Sequence, residues 1–159
     1  MKNRLVTHEG HLEPRFLEKS YREALELTIS VADYMEKQRG KTPETDQDAK
    51  VVFASESLRM TTCLMQAVSW LLVQKGVVAG ELTSEEALNP KFRLNNRETC
   101  LASDEKMLEN LPDEFRAYLE RTQDLYRRVE RMEIMLSGGE AGDNPVHSLL
   151  DKIRNPDRH

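Results

Sequence analysis

The closest approach to a metal pattern in this chain is His8-Glu9-Gly10-His11, two imidazoles three residues apart. Zinc takes four protein ligands, or three with one position left open, and this pair supplies two. A di-metal carboxylate bundle would need Glu-x-x-His pairs on facing helices, yet His8, His11, His147 and His159 all lie outside the segments that read as long helices. Thiol chemistry asks for a cysteine beside a histidine or at a helix N-terminus, where its pKa falls. Cys63 sits mid-helix with neither, and Cys100 falls in a connector. The two make no paired-ligand motif and are too few for a disulfide framework, so both are expected as reduced thiols. No Gly-x-x-x-x-Gly-Lys or Gly-x-Gly-x-x-Gly occurs to cradle phosphate. The expectation is a protein without catalytic residues, bound metal or cofactor.

The remaining chemistry is that of contact. Arg59, Gln66, Trp70 and Gln74 share one arc of a helix, and Trp and Arg are enriched at interface hot spots. A Trp on a helix flank is as often tucked beneath a neighbouring element, so interface and core edge both stand as readings. Val146, Leu149, Leu150 and Ile153 follow i, i+3, i+4, i+7 spacing, which would make one apolar face if a partner induced a turn or two of helix. A frayed terminus is the other reading of that stretch.

Three long helices must position these residues. Residues 55–74 form one helical run in which Leu58, Met60, Leu64, Met65, Ala67, Val68, Leu71 and Leu72 cover about half the circumference, wider than a coiled-coil seam and suited to the central helix of a bundle. It extends back to about residues 46–48 and frays over residues 76–80. Before it, Pro14 stands at a first-turn position and Leu17, Tyr21, Ala24, Thr28, Val31 and Met35 keep a 4, 3 alternation. After it, Leu111, Phe115, Tyr118, Thr122, Leu125, Val129, Met132 and Leu136 keep the same alternation until Ser137-Gly138-Gly139. Thr83-Ser84-Glu85-Glu86 has capping-box form and predicts a short helix over residues 84–88, while residues 89–110 read only as a partly helical connector. The predicted architecture is all-α: an elongated antiparallel three-helix bundle over residues 14–137, with a short extra helix in the helix 2–3 connector. A flexible N-terminus over residues 1–13 and a flexible C-terminal tail over residues 138–159 flank it.

Composition narrows the function classes. The chain has 159 residues, room for one domain with a real core. Its charged fraction of 32% and few aromatics suit a charge-laced helical protein. A net charge of −5 argues against nucleic acid as partner, because phosphate contacts need a basic footprint. Arg127, Arg128 and Arg131 are interleaved with Glu120, Asp124, Glu130 and Glu133, the pattern of a solvated helix face. The N-terminus lacks the apolar run of a signal peptide and no window reaches the length of a spanning helix, so a cytoplasmic protein without a membrane span is expected.

Several blocks together resemble a known family. Ser55-Glu56-Ser57-Leu58-Arg59-Met60-Thr61-Thr62, Leu64-Met65-Gln66 and Ser69-Trp70-Leu71-Leu72 are followed by Gly80-Glu81-Leu82-Thr83. Leu111-Pro112 and Leu125-Tyr126-Arg127-Arg128-Val129-Glu130-Arg131-Met132 come later. They look like the alphaproteobacterial regulator of CtrA degradation family over most of residues 50–136. The resemblance implies a homodimeric three-helix bundle that acts without catalysis as an adaptor for the ClpXP protease, delivering cell-cycle regulatory proteins, with a flexible tail aiding recruitment. The partners so implied are a second copy, ClpXP or its associated response-regulator factors, and protein cargo. Arg59, Gln66, Trp70 and Gln74 would serve self-association or docking, and Val146, Leu149, Leu150 and Ile153 a second contact. A structural helical dimer without a proteolytic role and a helical transcriptional regulator are the competing expectations.

Overall fold

The computed structural model describes residues 5–41 and 47–138. Three long helices carry the core: α1 (Pro14–Gln38), α2 (Gln47–Val78) and α6 (Asp113–Leu136). Between α2 and α6 lie α3 (Ser84–Ala87), a 3₁₀ turn (Pro90–Phe92), α4 (Arg97–Leu101) and α5 (Glu105–Leu108). At 1.5 Å per residue, α2 is about 48 Å long.

Local chemistry explains the helix starts. Glu13 accepts from the Phe16 amide at 2.8 Å while Pro14 occupies the first turn of α1, where its missing N–H costs no hydrogen bond. Asp113 and Glu114 open α6, where acids complement the positive end of the helix dipole. Thr83 and Glu86 form the expected capping box, with bonds of 3.0 and 2.8 Å. The Asp104 carboxylate caps α5 by accepting from the Lys106 and Met107 amides.

The bundle is helical as expected, but its directions are not all antiparallel. Lys75 on α2 pairs with Glu18 on α1 at 3.0 Å, and Ser57 reaches Met35, so α1 and α2 run oppositely. Arg128–Glu23 and Tyr34–Phe115 place α1 and α6 oppositely too. Phe53 and Phe115, each near the start of its helix, have ring centroids 4.8 Å apart. At the other end Trp70 and Gln74 line a common cleft with Glu133 and Leu136. Thus α2 and α6 are parallel, and residues 79–112 must return along the bundle before α6 can begin. That return requires more than the single predicted short helix, and three short α-helices and a 3₁₀ turn supply it.

The segment expected to be a flexible N-terminus is ordered over residues 5–13. Val6 bridges Leu12, Thr7 N–H donates to the His11 carbonyl at 2.8 Å, and Glu13 N–H donates to the Leu5 carbonyl at 2.8 Å. Gly10, with φ near +82°, supplies the left-handed turn. Leu12 is completely buried in the main core with Leu17, Met60, Leu71, Phe115 and Val129. One buried leucine anchors the hairpin, a signal too short to show as periodicity.

The stripes of α1 and α6 are close to those predicted. In α1 the buried line is Leu17, Ser20, Ala24, Leu27, Val31 and Tyr34; Tyr21, Thr28 and Met35 sit half-buried along its edge. In α6, Phe115, Leu119, Thr122, Leu125, Tyr126, Val129 and Met132 are buried.

Candidate interaction surfaces

The arc of α2 bearing Arg59, Gln66, Trp70 and Gln74 is covered by the chain itself. An irregular segment leaves backbone donors and acceptors that require partners, and side chains from α2 and α6 provide them. Arg59 pairs with Glu56 and donates to the carbonyls of Thr99, at 3.2 Å, and Ala102. Gln66 accepts from the Asn95 amide at 3.0 Å. From α6, Glu133 accepts from the Leu94 amide at 2.8 Å, Gln123 donates to the Ala102 carbonyl at 2.9 Å, and Glu130 pairs with Arg97. The Tyr126 hydroxyl donates to the Asn95 carbonyl at 2.7 Å. Burial, then the nearby carboxylates of Glu130 and Glu133, push its pKa up to about 12, with Arg97 opposing. Trp70 and Gln74 are buried, at 4% and 5% exposure. Of the two readings of Trp70, the structure selects the core edge.

The same connector changes the account of the cysteines. Cys63 on α2 and Cys100 on α4 form a disulfide, with Cα atoms 5.4 Å apart, instead of two reduced thiols. Both are nearly fully buried beside Tyr126, flanked by Leu94 and Leu101. Their 37-residue separation in sequence gave no sign of pairing; proximity arises only because the connector doubles back over α2.

The uncovered side of α2 has the opposite character. Val51, Leu58, Met65 and Leu72 are 66%, 70%, 60% and 54% exposed. They recur every seven residues, and Ser55, Thr61 and Ser69 are exposed between them. The only charged residues from 51 to 74 are Glu56 and Arg59, paired with each other and turned toward the connector side. Leu58, Met65 and Leu72 were expected in the core arc and are not there. Their heptad recurrence on a charge-free line is the sequence signal that could have found this surface. The open faces of α1 and α6 are mainly ionic: α1 exposes Glu18, Lys19 and Arg22, and α6 exposes Glu120, Arg121 and Arg131, with Ile29 on α1 and Met135 on α6 as the large apolar side chains exposed there.

A cleft of about 240 Å³ lies at the end of the bundle where α2 and α6 finish, lined by Trp70, Val77, Leu88, Arg93, Glu133 and Leu136 among others. Ser137 is on its lining, so the chain leaves for residues 139–159 from this rim. Val146, Leu149, Leu150 and Ile153, expected as a second contact, lie outside the described residues, as does the tail from residue 139.

The titratable groups with displaced pKa values occupy separate places. Tyr34, between α1 and α6, is raised by burial and then by Glu114 and Tyr118. His11 has both ring nitrogens engaged within the hairpin, Nδ1 with the Leu12 carbonyl and Nε2 with Glu9, each at 3.0 Å. Among the described residues no three His, Cys, Asp or Glu side chains are grouped to hold a metal ion, and no helix is long and apolar enough to cross a membrane.

These features define a class: a helical bundle in which a crossover connector is locked by side chains and a disulfide onto two parallel helices, leaving one apolar helix face open. The chain belongs to the family described as Protein of unknown function (DUF1465), whose model matches residues 8–156 and so takes in the connector and all three long helices. No curated protein and no solved structure matches it.

Proposed function

We propose that this protein is a non-catalytic adaptor that helps deliver cell-cycle regulatory proteins to the ClpXP protease, and that it works as a homodimer. The observation that carries this reading is the open line of Val51, Leu58, Met65 and Leu72, an apolar surface on a helix whose other sides are engaged within the chain. The resemblance to the regulator of CtrA degradation family adds support, since its longest block falls within α2 and its last within α6. An adaptor acts by tethering, which raises cargo concentration at the protease toward the millimolar range for short flexible links. It needs contact surfaces and no reacting group. Arg59, Gln66, Trp70 and Gln74 serve this role indirectly, by fixing the connector that braces α2. Val146, Leu149, Leu150 and Ile153 are assigned to the contact with cargo or with the response-regulator factors of the protease.

A reconstituted degradation assay tests the reading. ClpXP, a cell-cycle response regulator as substrate and the full chain should together give faster substrate loss than ClpXP and substrate alone. The chain ending at Ser137 should keep its helicity and lose part of that acceleration. No acceleration by the full chain, with the response-regulator factors present, would overturn the adaptor role in favour of a structural dimer. DNA affinity falling steeply with salt would instead mark a transcriptional regulator.

A further inference from the structure

The exposed line on α2 is nearly symmetric about the point between Thr61 and Thr62. Val51 and Leu72 are equidistant from that point, and so are Leu58 and Met65. Ser55 and Ser69 fall at almost equal distances on either side, and Thr61 and Thr62 are at the centre. A two-fold axis through this point, perpendicular to the helix, therefore sets large residues beside large ones and small beside small in a second, antiparallel copy. Self-complementarity of this kind is what an isologous interface requires, in which residue i meets j and j meets i. Heptad spacing keeps such a line facing its partner along the full contact.

We propose that a second copy of this chain covers this face, with the two α2 helices packed antiparallel so that Leu58 of one copy lies against Met65 of the other. The assignment rests on the self-association put forward above and specifies its surface and register. Charge selects this occupant over an acidic or basic partner, because the line offers neither sign. Length agrees as well: from Val51 to Leu72 the line runs about 31 Å along the helix, so a second helix laid along it makes one continuous contact. A monomer rarely leaves so continuous an apolar line in water. The serines and threonines at the intervening positions let the helix backbones approach without burying a charge.

Solution mass, by light scattering across a concentration series, reads the result. The full chain should run at twice its monomer mass. Leu58→Glu and Met65→Lys, each at a position already more than half exposed in the monomer, should keep their helical circular dichroism and run as monomers, with dimer affinity weakened on the order of 100-fold. Ile29→Glu, at an exposed apolar position on α1, should leave the dimer intact. Mixing the Leu58→Glu chain with the Met65→Lys chain should restore a dimer, because the register sets the new glutamate against the new lysine. A full chain that is monomeric at every concentration would overturn the self-association itself. Dimers that survive both substitutions would overturn the α2 assignment while self-association stood. Monomeric variants that fail to combine would overturn the antiparallel register.

Discussion

The two long sides of α2 reverse what their residues suggest. One carries Arg59, Gln66 and Gln74, groups at home in water, and is buried under the connector; the other carries Val51, Leu58, Met65 and Leu72, and is open. Backbone accounting resolves the reversal. Residues 94–102 include amides and carbonyls that the short helix α4 leaves unpaired, so the helix beneath must offer polar side chains, and Arg59 and Gln66 do. Where helix packs on helix, backbone groups are already paired and apolar side chains suffice. A polar residue on a long helix can therefore mark an internal contact with irregular chain, while an uncharged apolar line marks contact with another helix.

The comparison is sharpened most by removing one large side chain from each side. Trp70→Ala should cost about 3–5 kcal/mol of unfolding free energy, because it empties a buried site in the main core. Leu72→Ala, two residues further on and 54% exposed, should change the monomer by no more than about 0.5 kcal/mol. Urea unfolding at high dilution compares the two; equal losses would mean that the sides do not differ as described.

The disulfide tests how firmly the covered side is closed. Joining Cys63 to Cys100 closes a loop of 37 residues, so replacing both by alanine should cost about 4 kcal/mol under the chain-entropy account. Faster amide exchange in residues 94–102, with α1 unchanged, should accompany the loss. Uniform acceleration over all three long helices would show that the bridge supports the whole bundle and not the connector alone.

Arg59→Met asks the same question of one polar contact. The substitution keeps most of the stem and removes the donors to Thr99 and Ala102, leaving Glu56 without its partner at low exposure. A loss of about 1–3 kcal/mol is expected, with proteolytic nicking appearing first between residues 94 and 104. Unchanged protection of that stretch would leave the disulfide and the α6 contacts as its sufficient anchors.

The fold was legible where one side of a helix meets water. Leu17, Ala24 and Val31 in α1, and Phe115, Thr122, Leu125, Val129 and Met132 in α6, stand out because they keep helical spacing on helices whose opposite faces are rich in charged residues. In α2 the pattern does not discriminate: Leu64 and Met65 are adjacent and both apolar, yet Leu64 is 3% exposed and Met65 60%. Hydrophobicity tells that a side chain prefers cover and does not tell which element provides it. The direction of α6 was readable in principle, since helices joined antiparallel rarely need more than a short loop, whereas residues 79–112 are long enough to return along the bundle. The pairing of Cys63 with Cys100 was not readable, because it depends on the path of that return. For Trp70 the sequence leaves interface and core edge equally open, and only its burial in the main core decides between them.

The hairpin closes the end of the bundle from which α1 starts, and its histidine gives the smallest and most selective test of that closure. The hydrogen bond to the Leu12 carbonyl is the largest influence raising the His11 pKa above its ordinary 6.5; burial opposes it, and the Glu9 carboxylate adds to it. A raised folded-state pKa means that the folded chain holds the proton more tightly than the unfolded chain. This contribution to stability is therefore complete below the ordinary value, and it is lost as pH rises through the raised one. The melting temperature should fall across that window in the native chain and fall less in His11→Asn. Because Glu9 is largely exposed, added salt should weaken the part due to its charge and leave the part due to the Leu12 carbonyl. That carbonyl belongs to the one fully buried residue of the hairpin. Proton exchange at His11 thus reports on the seating of Leu12 in the core, and an identical pH profile in the variant would separate the two.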